Sequence, residues 1–362
     1  MPPAFSSLRQ AAAFALLLLS FLAAPMLVSA LGVLDRATVY PTLPAYAGPI
    51  SHIQHELFEE SSDVDIAFIG SSFMWSAIDA PYLQDELTRA SGRQAVVRVL
   101  ASVWPGLDRD YAFLKDLLSK RRVGLVVLQF PNRNRPTDDP AADVNRVSNE
   151  PHVQAFRFYR VGEMQEAVRG APWDIRASLY AGAVLGMPRH MLTWIRPNYM
   201  APTPVTETLG ARLEPRGYFD GHYERFRPSP PRLDAESMIL SDATAEDFRF
   251  FDEPLPDYQM YFARKIAALL EETGTPAILL HIPQANEITA EVVEERMDWR
   301  EAAGISAAMV GVPPARLFGS FSEEEAKRFF GSDHLNDNGA IYFTRAVAPA
   351  ILQVYFQANA VD

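Results

Sequence analysis

Length, composition and charge set the first limits on this protein. The chain has 362 residues, of which 48% are hydrophobic and 22% charged, a balance that excludes a largely disordered chain. Its formal net charge of −12 argues against a nucleic-acid partner, because binding to phosphates needs a clustered basic surface. The chain has no cysteine, which excludes disulfides, thiolate zinc sites and a cysteine nucleophile.

The N-terminal segment, residues 1–34, is predicted to be a membrane anchor or a signal peptide. Residues 10–34 carry no charge and are mostly apolar, and a helix that spans a bilayer needs about 20 such residues. A cleaved signal peptide has a shorter apolar region that ends in small residues, and Val28-Ser29-Ala30 suits such a cleavage. Either form sends the rest of the chain across the membrane; a buried core helix is the alternative. Residues 35–62 are predicted to be a proline-punctuated linker with a short helix at 50–60.

The body of the chain alternates between strand and helix patterns. Continuous apolar runs separated by helices are typical of a parallel sheet with right-handed crossovers. Strands are predicted at residues 63–69, 94–101, 123–130 and 276–282, and helices at 80–90, 107–120, 258–273, 289–303, 323–330 and 339–356. We therefore predict one doubly wound α/β domain made of residues 63–130 and 256–362.

Residues 131–255 interrupt this domain and are predicted to form an insertion subdomain. The segment is rich in proline, arginine and aromatic residues, and a connection of this length is rarely passive. Its aromatic side chains suit sugar-stacking platforms and its arginines suit an anionic glycan. The alternative is that the aromatic residues form the core of the subdomain and the arginines a solvated face.

The first predicted strand delivers a candidate nucleophile. Its apolar run ends at Gly70-Ser71-Ser72, and in open α/β sheets ligands bind beyond the carboxyl ends of the strands. A serine at this position needs a base, and His334 near the other end of the chain is the candidate. The alternative is an ordinary turn in which Ser72 or Ser76 caps a helix.

The other six histidines show no metal-binding pattern. His52 and His55 share one helical face, but no cluster of acidic residues or cysteines accompanies them, so surface or packing roles are favoured. His281 ends the fourth predicted strand. It either lines the same cleft as Ser72 or, as the alternative, belongs to the core. We predict neither a metal nor a cofactor.

Four short blocks follow one another along the body. They are Gly70-Ser71-Ser72, Trp104-Pro105-Gly106-Leu107, Phe130-Pro131-Asn132 and Asp333-His334-Leu335-Asn336. In this order they resemble the nucleophile, glycine, asparagine and Asp/His blocks of the SGNH (GDSL-type) esterase superfamily, with Ser71 replacing the family aspartate. The Gly-Ser-Ser form and the His-Leu-Asn-X-X-Gly-Ala ending are similar to its membrane-anchored branch, which includes alginate-type O-acetyltransferases.

The resemblance implies a flavodoxin-like three-layer α/β/α fold and acyl-ester chemistry. Ser72 is then the nucleophile and His334 the base, with Asp333 as the acid that orients it. The amides of Ser72 and Gly106 and the side chain of Asn132 are the implied oxyanion donors. Two residues are kept as alternatives, Ser71 for the nucleophile and Asn134 for the asparagine.

One position departs from the family pattern. The family aspartate lies three residues before the histidine, where this chain has Gly331. Asp333 is the immediate neighbour of His334, and adjacent side chains diverge. Asp337 is another candidate, although together with Asn336 it also suits the cap of the last helix. A dyad of Ser72 and His334 supported by a backbone carbonyl is the remaining possibility.

Three functional hypotheses follow from the sequence. The first is a serine esterase or O-acyltransferase on the periplasmic side of a bacterial cell envelope, acting on acyl esters of a polysaccharide. Its partners are then the polysaccharide, the membrane and a polysaccharide-modification complex. The second is an inactive member of the same fold that serves as a scaffold in such a complex. The third is an unrelated ligand-binding module, for which Ser72 and His334 are expected to lie far apart.

Overall fold

The structure is a computed structural model. It describes residues 5–30, 50–101, 106–130, 173, 255, 257–288, 302–312, 314–331 and 334–360. The predicted insertion, except for residue 173 and residue 255, and most of the helix predicted at 289–303 therefore lie outside the described residues.

A five-stranded, all-parallel sheet forms the centre of the fold. Its strands are β1 (Val64–Gly70), β2 (Val97–Ala101), β3 (Val123–Gln129), β4 (Ala277–Leu280) and β5 (Ala308–Val310). They lie in the order β2-β1-β3-β4-β5, which is the flavodoxin-like order. Helices flank the sheet on both faces, so the predicted three-layer α/β/α fold is confirmed.

The strands are apolar throughout because both faces of the sheet are covered. All seven residues of β1 are buried, and successive side chains enter opposite cores. Ile66 and Phe68 belong to one hydrophobic cluster, whereas Ala67 and Ile69 belong to the other. The continuous apolar run that predicted a parallel strand is the direct result of this double burial.

Each face of the sheet carries its own helices. One core contains α2 (Ile50–Phe58), α5 (Leu107–Leu118) and α6 (Asp257–Thr273). The other contains α3 (Ser72–Ala77), α4 (Ala80–Ser91) and the C-terminal α9 (Asp337–Asn359), with two short helices, α7 (Pro314–Leu317) and α8 (Glu323–Lys327), between β5 and α9. Within the predicted linker, Ile53 and Leu57 of α2 are fully buried in the first core.

Besides α7 and a 3₁₀ turn at Ala285–Glu287, three short elements were missing from the sequence prediction. They are α3, where the sequence predicted only a turn, β5, and an antiparallel ribbon of β6 (Phe330–Gly331) and β7 (His334–Leu335). Periodicity needs more residues than these elements contain, since α3 has six residues, β5 three and each strand of the ribbon two. Two of the three position the candidate site.

The N-terminal helix α1 covers Leu8–Ala30. Its side chains Leu8, Phe14 and Leu16 to Leu19 are exposed. Over the part of the chain that the structure describes, no helix meets the length and apolarity needed to cross a membrane.

Candidate active site

The end of β1 leads directly into α3 and places Ser72 at the first helical position. Ser71, rather than Ser72 or Ser76, is the N-cap, and its Oγ accepts a hydrogen bond from the Phe73 amide at 3.3 Å. The Ser72 amide is thus one of the opening N–H groups that have no partner inside a helix. The candidate nucleophile therefore lies where a strand ends and a helix begins.

Gln129, the last residue of β3, holds this turn from the neighbouring strand. Its Oε1 accepts hydrogen bonds from the Ser71 amide at 2.7 Å and from Ser71 Oγ at 2.8 Å, and both residues are buried. A Cβ added at Gly70 would lie 2.6 Å from Gln129 Oε1, so the approach of the side chain requires glycine there. Since β1 and β3 flank the point where the strand order reverses, the turn sits at the switch point where such sheets bind ligands.

Ser72 and His334 meet across 262 residues of sequence. Ser72 Oγ and His334 Nε2 lie 2.8 Å apart, which is hydrogen-bond distance. For the hydroxyl to donate, Nε2 must be the unprotonated ring nitrogen, which is the state that a general base needs. The wide separation expected for an unrelated ligand-binding module is not observed.

Short elements on both sides fix His334. Its backbone belongs to β7, which pairs Gly331 with His334 and Phe330 with Leu335. Directly afterwards Asn336 caps α9, because its Oδ1 accepts a hydrogen bond from the Gly339 amide at 3.0 Å. The imidazole also stacks on the Phe73 ring, with centroids 4.1 Å apart and planes 3° from parallel. His334, the candidate base, is therefore held by its backbone and by one face of its ring.

Two amides at the same edge of the sheet are available as oxyanion donors. Ser72 opens α3, and Gly106, which is buried, is the N-cap of α5. Within the described residues, neither amide donates a hydrogen bond. The first turn of α5 is anchored to α6, since the Leu107 amide donates to Gln259 Oε1 at 2.8 Å. These two donors are available to a negative oxygen, whereas Asn132 and Asn134 lie outside the described residues.

The orienting acid is the least defined part of the predicted site. Asp333 lies outside the described residues. Asp337 is the first residue of α9, next to the capping residue Asn336, as the alternative role predicted. Gly331, at the position where the resemblance expects the acid, faces His334 across the ribbon, and among the described residues a Cβ there would meet only Asn336 Cβ, at 4.0 Å.

Buried charges lie beside the candidate oxyanion donors. Asp108, Arg109 and Asp110 open α5 and are all buried. Asp108 Oδ2 accepts a hydrogen bond from the Tyr258 hydroxyl at 3.1 Å. Burial raises the pKa of Asp110 to about 7, against the opposing effect of Arg109. The sequence prediction missed this cluster; its only signal was a run of three charged residues after Gly106 and Leu107.

Two other histidines, His55 and His281, have described side-chain contacts, and both are with glutamates. His55 contacts Glu59 at 2.8 Å on the exposed side of α2. His281 is buried after β4, with Nε2 3.3 Å from Glu287 Oε1, in keeping with the core alternative. Among the residues that the structure describes, no three His, Asp or Glu side chains are grouped in a way that suits a metal ion.

Sequence reasoning missed two side chains that shape the site, Gln129 and Phe73. The signal for Gln129 was a polar residue at the end of the apolar strand Leu-Val-Val-Leu, next to the strand that carries the serine. Phe73 gave no separate signal, because an apolar residue after Ser72 is expected of any helix that faces a core.

Comparison of the chain with protein-family models gives no match, and comparison with curated proteins gives no significant match. The resemblance to SGNH esterases therefore rests on the four sequence blocks and stays a prediction.

Proposed function

We propose that the chain is a serine esterase or O-acyltransferase that works through an acyl-serine intermediate. The observation that carries the proposal is the 2.8 Å contact between Ser72 Oγ and His334 Nε2 at the C-terminal edge of the sheet. A nucleophile must lie within hydrogen-bond reach of its base before either group is useful in acyl transfer.

The first half-reaction uses the groups already described. As Ser72 Oγ attacks the ester carbonyl, its proton moves to His334 Nε2 and an O–C bond forms. The carbonyl oxygen becomes negative and accepts hydrogen bonds from the Ser72 and Gly106 amides, each such donor being worth about 10²- to 10³-fold in rate. The C–O bond to the leaving alcohol then breaks, and His334 returns the proton to that alcohol.

The second half-reaction decides between hydrolase and transferase. His334 takes a proton from the incoming hydroxyl, whose oxygen attacks the acyl carbon. The bond between that carbon and Ser72 Oγ then breaks, and His334 returns the proton to Ser72. If the hydroxyl belongs to water, the product is a free acid; if it belongs to a sugar, the acyl group is transferred. Both outcomes use the same residues, so the proposal covers both.

The substrate and the location come from the sequence resemblance. We propose acyl esters, with acetyl as the first choice, on a polysaccharide of the bacterial cell envelope, reached from the periplasmic side. The N-terminal segment is proposed to act as a membrane anchor or signal peptide, and a polysaccharide-modification complex is the proposed partner. Membrane fractionation and N-terminal sequencing of the mature protein distinguish the anchor from the cleaved signal.

The decisive test asks whether Ser72 takes an acyl-type probe. The full chain in detergent is treated with a fluorophosphonate, and the adduct is located by mass spectrometry. We expect an adduct on Ser72 in the wild type and none in Ser72→Ala or, at matched exposure time, in His334→Ala. Aryl-acetate hydrolysis is expected to fall by at least about 10³-fold in both variants.

Ser76→Ala is the matched control for this test. Ser76 lies on the same helix, and its Oγ donates to the Phe73 carbonyl at 3.0 Å rather than to His334. Labelling and hydrolysis are expected to stay within about twofold of the wild type, the range of an ordinary surface change. An adduct on Ser71 instead would identify the alternative nucleophile. A folded wild type without any adduct would refute the enzyme proposal.

A catalytically inactive scaffold is the second candidate function. The observation in its favour is Gly331, which occupies the family position of the orienting acid. A scaffold is expected to bind the acylated polysaccharide equally well in the wild type and in Ser72→Ala, with no release of acetate in either. Isothermal titration together with an acetate assay separates the two functions.

A further inference from the structure

The contact between Phe73 and His334 is closer and flatter than the described contacts between rings elsewhere in the core. The two ring centroids are 4.1 Å apart and the planes differ by 3°, whereas Phe329 and Tyr342, the other stacked pair, are 5.1 Å apart with planes at 28°. A benzene ring carries negative charge on its face, so pairs of neutral rings prefer offset or edge-on arrangements. A positively charged ring is attracted to that face.

Phe73 itself is rigidly placed. Its side chain is 3% exposed within the core that faces α9, and its amide donates to Ser71 Oγ. Because Phe73 follows Ser72 directly, the nucleophile and the ring under the base belong to the same helical turn. Any movement of that turn carries both together, which preserves the contact between Ser72 Oγ and His334 Nε2.

We propose that Phe73 is a positioning residue that holds the His334 imidazole in line with Ser72 and stabilises the imidazolium formed when Ser72 loses its proton. The inference rests on the proposed function, since it assigns His334 the part of the base. The charge that develops on the imidazole lies against the face of the benzene ring, which is itself buried. Cation–π contacts of this kind are strongest where water is excluded.

The role of Phe73 is independent of whichever group meets the second nitrogen of His334. A partner in the ring plane acts on Nδ1, whereas the benzene ring acts on the face of the imidazole. The two effects therefore add, and substitution of Phe73 tests one of them alone.

The test compares Phe73→Leu with Phe73→Tyr in the full chain. Leucine keeps an apolar side chain in the core but removes the π face, and tyrosine keeps the face. We expect kcat/KM for aryl-acetate hydrolysis to fall about 3- to 30-fold in Phe73→Leu, the range of a desolvated cation–π contact. We also expect the midpoint of the acidic limb of its pH profile to move to lower pH, because the imidazolium is less stable. In Phe73→Tyr both values are expected to return close to those of the wild type.

Phe318→Leu is the matched control for lost packing. Phe318 is also 3% exposed and lies in the same core cluster, but its described ring contacts are with Phe329, Phe330 and Tyr342. Phe318→Leu is expected to lower the free energy of unfolding and to leave the acidic limb of the pH profile where it is in the wild type. A fall in rate for Phe73→Leu with an unmoved limb, or an equal fall in Phe73→Tyr, would overturn the inference.

A second measurement separates this inference from the proposed function. The His334 ring can be titrated by NMR in histidine-labelled protein, with His334→Ala identifying its signal, whether or not the protein has activity. A shift of the midpoint to lower pH in Phe73→Leu supports the stacking role even if Ser72 takes no probe. An unchanged midpoint in a folded variant refutes the stacking role even if Ser72 is the nucleophile.

Discussion

At the N-terminal edge of the sheet acidic side chains are paired with arginines, whereas at the C-terminal edge the described side-chain contacts of Ser71 and Ser72 are with the polar residues Gln129 and His334, beside the buried charges that open α5. Near the starts of the strands, Asp65 bonds Arg93 and Glu56 contacts both Arg98 and Arg121. Near the ends of the strands, Gln129 bonds Ser71 and Ser72 contacts His334. The first set pairs its charges within the protein, whereas among the described residues the Ser72 and Gly106 amides donate no hydrogen bond. On the proposed function, the difference separates a structural edge from one that binds a ligand.

The largest expected effect on stability comes from breaking the N-terminal edge. Glu56 is 2% exposed, and its carboxylate lies 2.8 Å from Arg98 Nε and 3.5 Å from Arg121 Nη1. Glu56→Ala leaves two largely buried guanidinium groups without their carboxylate. We expect the free energy of unfolding to fall by about 3–5 kcal/mol, measured by urea titration.

Glu86→Ala is the control for that substitution. Glu86 pairs with Arg89 at 2.6 Å on the solvent side of α4, where ion pairs contribute little. Labelling of Ser72 by the fluorophosphonate is expected to be unaltered in folded Glu56→Ala, because the two edges are independent. A small stability loss, or a loss of labelling in the folded variant, would contradict the division between the edges.

The hydrogen bonds from Ser71 to Gln129 Oε1 form a clamp at the C-terminal edge. Removing this clamp is expected to affect activity more than Glu56→Ala does. Gln129→Leu leaves the buried Ser71 amide and hydroxyl without their acceptor, so the turn shifts and Ser72 leaves its position opposite His334. A misplacement on the order of 1 Å costs about 10²-fold, and we expect kcat/KM to fall about 10- to 100-fold. The fall should appear in kcat rather than in KM.

Gln84→Leu is the matched control for the clamp. Gln84 Oε1 also accepts a hydrogen bond from a strand amide, that of Val97 at 3.2 Å, but at the N-terminal edge. It is expected to lower stability without changing kcat. Equal kcat values for Gln129→Leu and the wild type would show that Ser71 needs no clamp.

The pH dependence of stability offers a further way to distinguish the edges. Burial alone raises the pKa of Asp65, but hydrogen bonds from Arg93, Tyr355 and the Val96 amide outweigh it and bring the pKa below the ordinary value of 3.8. A carboxyl with a lowered folded-state pKa contributes stability above its unfolded pKa, and this contribution is lost as the pH falls through the folded-state value.

We therefore expect the wild type to lose stability below about pH 4 more steeply than Asp65→Asn does. At neutral pH, Asp65→Asn is expected to be less stable by about 1–2 kcal/mol, because hydrogen bonds to a charged group are replaced by weaker ones. Urea titrations across the acid range measure both effects. Asp85→Asn, an exposed change on α4, should follow the wild-type curve; identical curves for all three proteins would disprove the role of Asp65.

The sequence predicted those parts of the fold whose signals are local and long. Double burial makes β1 and β3 continuous apolar runs, and a full apolar face marks α6 and α9, so these elements and the parallel sheet followed directly. The prediction missed β5 because three residues carry no period, and it started β2 three residues before Val97, where the strand begins in the structure.

The site was predictable only where a motif marked it. Ser72 and His334 are 262 residues apart, and no local pattern predicts that they are neighbours. The prediction came from the order of the four blocks that resemble SGNH esterases. The sequence did not reveal the contacts of Gln129 and Phe73, because these contacts depend on which strand or ring lies beside them. That information resides in the strand order and in the fold of a two-residue ribbon, neither of which has a sequence period.

The smallest expected effect comes from adding a carboxylate next to His334 at the C-terminal edge, where the described side-chain contacts of Ser71 and Ser72 are with Gln129 and His334. Gly331 and His334 are direct partners in the ribbon, so side chains at both positions face the same way with Cβ atoms about 4.5–5.5 Å apart. Within the part of the chain that the structure describes there is space, since the nearest described atom to a Cβ at Gly331 is 4.0 Å away. Gly331→Asp therefore places a carboxylate beside the imidazole, at the position where SGNH esterases carry their acid.

A carboxylate there stabilises the imidazolium, so we expect kcat/KM for aryl-acetate hydrolysis to rise by up to about tenfold and the acidic limb of the pH profile to move to higher pH. Gly331→Asn, which has the same shape without the charge, controls for the loss of glycine and should leave the limb in place. Equal behaviour of the two variants would mean that the carboxylate does not reach His334 across the ribbon. A rise in kcat/KM confined to Gly331→Asp would show that a carboxylate at position 331 forms a charge pair with His334, as Asp65 does with Arg93 at the opposite edge of the sheet.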